Sequence, residues 1–122
     1  MPRVALVVDD SMLIRHTVCR FLEDRGYAAE SACNGAEALE MLQTLLPDVI
    51  ITDLQMPKMD GHELIERLKA SPETVGIPIV VLMGKTTATE AIETDSRADI
   101  AIFKDIDIVP SLDRALKMTV EK

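Results

Sequence analysis

Asp9 and Asp10 follow the apolar run Val4–Val8, Asp53 follows the run from Asp48 to Thr52, and Lys104 follows Ile100–Phe103. Carboxylates and an ammonium in such places can hold a cation, attack an electrophile or neutralise a growing anion. Two carboxylates about 4 Å apart, at an effective dielectric near 20, repel by roughly 4 kcal/mol. Three brought together need a cation or must take up protons. An oxygen-only donor set beside a lysine suits a hard dication such as Mg²⁺.

The elements that position these residues are legible from the apolar pattern. Val4–Val8 and the run ending at Thr52 are short and apolar on both faces, which is typical of parallel strands covered on both sides. Ser11 fits a helix N-cap, with Ile14, Val18, Phe21 and Leu22 at helical spacing until Gly26. A weak strand is expected near Ala28 to Cys33, then a turn at Asn34-Gly35. The next helix carries Leu39, Leu42 and Leu46 and ends at Pro47. After Asp53, a loop from Leu54 to Gly61 leads to a helix with Leu64, Ile65 and Leu68 on one face. Pro78 opens a strand from Ile79 to Met83, and a short helix is expected from Thr86 to Asp95. Ile100–Phe103 forms the last strand, and Leu112, Ala115, Leu116 and Val120 line the last helix. Strands and helices alternating in this way imply an α/β fold with a parallel sheet and helices on both faces. The carboxyl ends of neighbouring parallel strands share one edge, where ligands of open α/β sheets bind.

The chain has 122 residues, one domain of ordinary size. Its net charge of −8 argues against direct nucleic-acid binding and against an anionic membrane surface. Phe21, Tyr27 and Phe103 are its only aromatics, too few for a base-stacking platform. Cys19 and Cys33 lie outside any CxxC or CxxH arrangement, so reduced thiols are expected, not a disulfide or zinc site. No stretch has the length of a membrane span and no signal peptide precedes the first strand, so a cytoplasmic location is expected.

Three pieces then fall into register: Val7-Val8-Asp9-Asp10-Ser11, the loop Asp53-Leu54-Gln55-Met56-Pro57-Lys58-Met59-Asp60-Gly61, and Lys104. Over essentially its whole length, residues 1–122, the chain resembles the receiver domain of bacterial two-component response regulators. The resemblance implies a flavodoxin-like (βα)5 doubly wound sheet with strand order 2-1-3-4-5. It also implies that Asp53 accepts a phosphoryl group from the phosphohistidine of a histidine kinase or histidine phosphotransfer protein. By position, Asp10, Asp53 and the backbone carbonyl of Gln55 would bind Mg²⁺, Asp9 would act mostly through a metal-bound water, and Lys104 would pair with a phosphoryl oxygen. Such a domain is a phosphoryl acceptor, not an enzyme of the usual kind.

The chain departs from the family pattern at three positions. Met83 stands where Ser or Thr is usual, Ala101 where Tyr or Phe is usual, and Asp105 where proline follows the lysine. Met83 has no donor for a phosphoryl oxygen, and a hydrogen bond to a charged group contributes roughly 1.5–3 kcal/mol. Moving a two-state equilibrium from mostly off to mostly on takes about 5.5 kcal/mol. The acceptor chemistry is therefore expected to survive while the usual relay is weakened or rerouted. Backbone N–H groups, including that of Gly84, would still hold phosphoryl oxygens; Thr86 and Thr87 are alternative hydroxyl donors, with helix capping the plainer role for both. A cis bond to a non-proline costs about 2.5–4 kcal/mol, so the Lys104–Asp105 peptide is expected to be trans.

Met12 and Leu13 fall off the buried stripe of their helix, and by resemblance they would meet a kinase or phosphotransfer partner. His16 and His62 fit solvated helix positions, and the scattered acids of the last two helices fit a solvated face. The chain would be a free-standing receiver, or the N-terminal part of a longer regulator, signalling through contact with an effector protein or domain. The alternative is a pseudo-receiver acting as a constitutive interaction module, favoured by Met83, Ala101 and Asp105. An aspartate-nucleophile phosphatase would want a second Asp where Gln55 stands, and a flavin site would want hydroxyls where the first loop has acids.

Overall fold

The computed structural model describes residues 2–56, 58–84, 97–104 and 108–121. Its strands are β1 (Val4–Val8), β2 (Ala28–Ala32), β3 (Val49–Asp53), β4 (Ile79–Met83) and β5 (Ile100–Phe103). Its helices are α1 (Met12–Asp24), α2 (Gly35–Met41), α3 (Gly61–Ala70) and α4 (Ile108–Met118). All strand pairs are parallel, in the order β2-β1-β3-β4-β5. The expected flavodoxin-like fold is thus the observed one.

Strand alternation divides the core in two. Ala5, Val7, Val49, Ile51, Val80 and Leu82 pack against Val18 and Leu22 of α1 and Leu112 and Leu116 of α4. Leu6, Val8, Ile50, Ile79 and Val81 pack against Ala38 of α2 and Leu64, Ile65 and Leu68 of α3. The central strands β3 and β4 are buried at every position, so both faces must be apolar. The edge strand β2 is mostly exposed, as its Ala-Ala-Glu-Ser-Ala sequence permits.

Side-chain caps set the helix starts. Ser11 accepts from the Ile14 N–H, Asn34 from the Glu37 N–H and Asp60 from the Glu63 N–H. At the far end of α1, Gly26 adopts φ +94, the left-handed turn that stops the helix.

Three local expectations are corrected. Helix α2 ends at Met41, so Leu46 lies outside it and is 65% exposed. The amides of Gln43 and Thr44 turn back on Glu40 and Met41, and the Thr44 hydroxyl competes for the same Met41 carbonyl. The last helix stops at Met118, and Val120 packs on the core from beyond it. The acids of the last helix are not all solvated: Asp113 pairs with Arg25, which also pairs with Glu121 beyond the helix, and Glu121 accepts from the Tyr27 hydroxyl. The expected helix from Thr86 to Asp95 and the Lys104–Asp105 peptide lie outside the described residues, as do Thr86 and Thr87.

Candidate functional site

The sheet order sends the chain from β1 outward to β2 and then back across to β3. The switch point therefore falls between β1 and β3, where ligands of doubly wound sheets bind. Val8 pairs with Thr52, Asp53 with Leu82, and Met83 with Phe103. The residues that follow, Asp9-Asp10 and Lys104, thus emerge on the same edge as Asp53. The amide of Lys104 donates to the Met83 carbonyl at 2.9 Å, which fixes where its side chain starts.

The Lys104 ammonium bridges two acids, 2.9 Å from Asp9 Oδ2 and 3.0 Å from Asp53 Oδ2. Carboxylate oxygens of Asp9, Asp10 and Asp53 all lie within 4.8 Å of one another; Asp9 and Asp53 are buried and Asp10 is exposed. Among the described residues this is the group of acids that fits a metal ion, and its oxygen donors suit a hard dication.

Burial pushes the Asp9 carboxyl above its ordinary value, outweighing the Ser11 N–H and the ammonium that favour its charged form. Burial also works against the Lys104 ammonium. The hydrogen bonds to Asp9 and Asp53 outweigh it, so the lysine holds its proton more firmly than usual. Lys104 is therefore a fixed cation here, not a proton donor.

The loop after Asp53 turns on tight backbone contacts. The Gln55 N–H donates to Asp53 Oδ1 at 3.3 Å, and Lys58 takes the left-handed conformation at φ 68. The Gly61 N–H donates to the Leu54 carbonyl at 2.8 Å. A Cβ on Gly61 would lie 2.2 Å from the Asp53 carbonyl oxygen, so only glycine permits this return. The Gly35 N–H reaches the Met59 carbonyl at 3.1 Å and ties the same loop to the start of α2.

Met83, 9% exposed, belongs to the apolar cluster shared with Leu54, and Ala101 and Phe103 pack against that cluster. Gly84 follows at the exposed end of β4. Met12 and Leu13 stand 75% and 72% exposed at the start of α1, close in sequence to the acid pair. His16 is exposed, His62 is half-buried, and neither lies in the acid cluster.

One contact at the site was not read from the sequence. Arg15 Nη1 donates to the Asp9 carbonyl at 2.7 Å. The available signal was a cation in the first turn of a helix, where the helix dipole disfavours it.

The profile of the response regulator receiver domain matches residues 5–115. The chain belongs to the receiver domain family of response regulators. Response regulator MprA of Mycobacterium sp. (strain KMS) is 35% identical over 100 residues, covering 81% of this chain and 43% of MprA. The chain thus spans less than half the length of that relative. Chemotaxis response regulator CheY4 of Vibrio cholerae superposes with a TM-score of 0.79 at 31% identity, covering 95% of this receiver and all of CheY4. Response regulator TrrA from Thermotoga maritima, solved in complex with Mg²⁺–BeF, superposes with a TM-score of 0.78 at 27% identity, covering 95% of this receiver and 98% of TrrA. Among the described residues of this receiver, no helix is long and apolar enough to cross a membrane.

Proposed function

We propose that residues 1–122 act as one phospho-accepting receiver, in which Asp53 takes the phosphoryl group of a partner's phosphohistidine. The observation that carries this reading is the Lys104 ammonium held between Asp9 and Asp53, with Asp10 completing an all-oxygen cluster at the switch point. A carboxylate oxygen of Asp53 attacks phosphorus, the N–P bond of the phosphohistidine breaks, and the departing imidazole keeps the electron pair. Asp53 thereby becomes an acyl phosphate. Asp10, Asp53 and the Gln55 carbonyl would hold Mg²⁺, with Asp9 acting mostly through a bound water. The ion, when bound, supplies neutralisation of charge on the transferring oxygens. Lys104, already aimed between the acids, donates to a phosphoryl oxygen as charge builds there. TrrA, similar to this chain in fold and sequence, was solved in complex with Mg²⁺–BeF, which supports reading this pocket as a Mg²⁺ site.

Exposed Met12 and Leu13 offer an apolar contact for the kinase or phosphotransfer domain beside the acceptor. The relay from the acceptor is atypical. Met83 is packed in apolar surroundings and Ala101 brings no ring, so the phosphoryl oxygens would rely on Lys104 and backbone N–H groups such as that of Gly84. That burial of Met83 also favours the second reading, a pseudo-receiver whose surface is a constitutive interaction module. One experiment separates the two: incubation with acetyl phosphate and Mg²⁺, followed by intact-mass measurement, with Asp53→Asn as control. Gain of one phosphoryl mass by the unaltered chain alone supports the acceptor. No gain in either chain leaves the interaction module as the function.

A further inference from the structure

We infer that Arg15 is a positioning residue for the metal-facing acid: it pins the Asp9–Asp10 peptide so that the exposed Asp10 carboxylate is presented at a fixed place beside Asp53. The inference rests on the reading of this pocket as a Mg²⁺ site. Asp9 is fully buried and has every polar group engaged. Its N–H donates to the Ala32 carbonyl at 3.1 Å. Oδ1 accepts from the Ser11 N–H at 2.8 Å, and Oδ2 accepts from Lys104 at 2.9 Å. Its carbonyl oxygen accepts from Arg15 Nη1 at 2.7 Å. That carbonyl belongs to the peptide unit joining Asp9 to Asp10. The peptide is planar, so holding its oxygen also holds the direction in which the Asp10 Cα leaves.

Asp10 lies in the acid cluster yet is exposed, so its placement falls mainly on its backbone. The guanidinium reaches back from the first turn of α1, whose register is set by the Arg15 N–H on the Ser11 carbonyl at 3.0 Å. A cation is disfavoured there by the helix dipole. The bond to the Asp9 carbonyl accounts for the location. Partners one layer behind a metal ligand typically change affinity by about 10–100-fold when lost.

The test compares the unaltered chain with Arg15→Gln and Arg15→Lys. Mg²⁺ uptake is measured by calorimetry, and amide exchange at Ser11 is measured by NMR in metal-free protein. Arg15→Gln is too short to keep the contact and should weaken Mg²⁺ about ten-fold. Arg15→Lys keeps one donor and should recover part of that loss. At saturating Mg²⁺ the rate of acetyl-phosphate uptake by Arg15→Gln should return to that of the unaltered chain. Its Ser11 amide should exchange faster even without metal. Mg²⁺ affinity unchanged within about two-fold in Arg15→Gln, or a Ser11 amide exchanging as before, overturns the role of Arg15 while leaving the acceptor reading intact. No Mg²⁺ uptake by the unaltered chain overturns both. If Arg15→Gln does not fold, Arg15→Lys decides: its affinity must fall and its Ser11 amide must loosen.

Discussion

Replacing Lys104 with methionine keeps most of the apolar stem and removes only the charge that bridges Asp9 and Asp53. The Asp9 side chain is 0% exposed and that of Lys104 is 16% exposed, so the pair is far from a surface contact. Removing one partner of a buried pair costs about 3–5 kcal/mol, because the remaining charge is left without compensation. For a domain of this size that is a fall in melting temperature of roughly 10–20 °C. The pH dependence has a definite sign. The folded Asp9 carboxyl already lies above its ordinary value of 3.8, through burial, so the native state binds this proton more readily than the unfolded chain. Stability from Asp9 therefore grows as pH falls from its raised folded value toward 3.8. In Lys104→Met the lowering influence of the ammonium is gone and the carboxyl rises further. The deficit should be full near neutral pH and should shrink as acid protonates Asp9. Lys104 in turn has a raised folded value, so its contribution is present below 10.5 and is lost as pH rises through that raised value. Urea unfolding followed by far-UV circular dichroism at several pH values measures both effects. A loss below about 1 kcal/mol near neutral pH, the level of an exposed ion pair, would refute the reasoning, as would a deficit that acid leaves unchanged.

At the opposite edge, Arg25 beside Glu121 holds the Glu121 carboxyl down at about 2, so its contribution is present above 4.5 and is lost as pH falls toward 2. Glu121→Gln should cost about 1–2 kcal/mol near neutral pH and flatten the acid limb of the stability curve, read by urea titration. Tyr27, the only tyrosine, is pushed up to about 12 by burial and by Glu121; tyrosinate absorbance should titrate near there and move toward 10 in Glu121→Gln. Gly61→Ala should destabilise by about 3 kcal/mol or more, since its Cβ would meet the Asp53 carbonyl oxygen at 2.2 Å. Gly76→Ala, with nothing within 4 Å, should stay within about 0.5 kcal/mol, both variants being read by the same urea titration. Met83→Ala should cost about 2–4 kcal/mol through lost packing, yet leave acetyl-phosphate uptake by Asp53 within about two-fold; abolished uptake would place Met83 in the acceptor chemistry itself.

Much of this receiver was readable from residue order. β4 begins and ends where its apolar run does, because a strand buried on both faces must be apolar throughout, and the half-buried edge strand β5 also matches its run. Ser11 caps α1 as its hydroxyl and place predict, and Met12 and Leu13 are exposed as the helical stripe requires. Where the local signal was weak the reading slipped. Apolar spacing alone carried α2 on to Leu46, while turn hydrogen bonds at Gln43 and Thr44 end it a turn earlier. Asp113 in the last helix looked solvated because no short-range pattern links it to Arg25, which lies far away in sequence.

The chain's order of residues determined by itself which groups carry chemistry, since acids and a lysine that close apolar strands can only face the sheet's carboxyl edge. Tertiary structure alone decided their distances and pairings. The ammonium's choice of both Asp9 and Asp53, the reach of Arg15 to the Asp9 carbonyl, and the approach of Gly61 to the Asp53 backbone all join residues on different elements. Periodicity reports what each segment buries; only packing the segments together fixes which polar groups then meet.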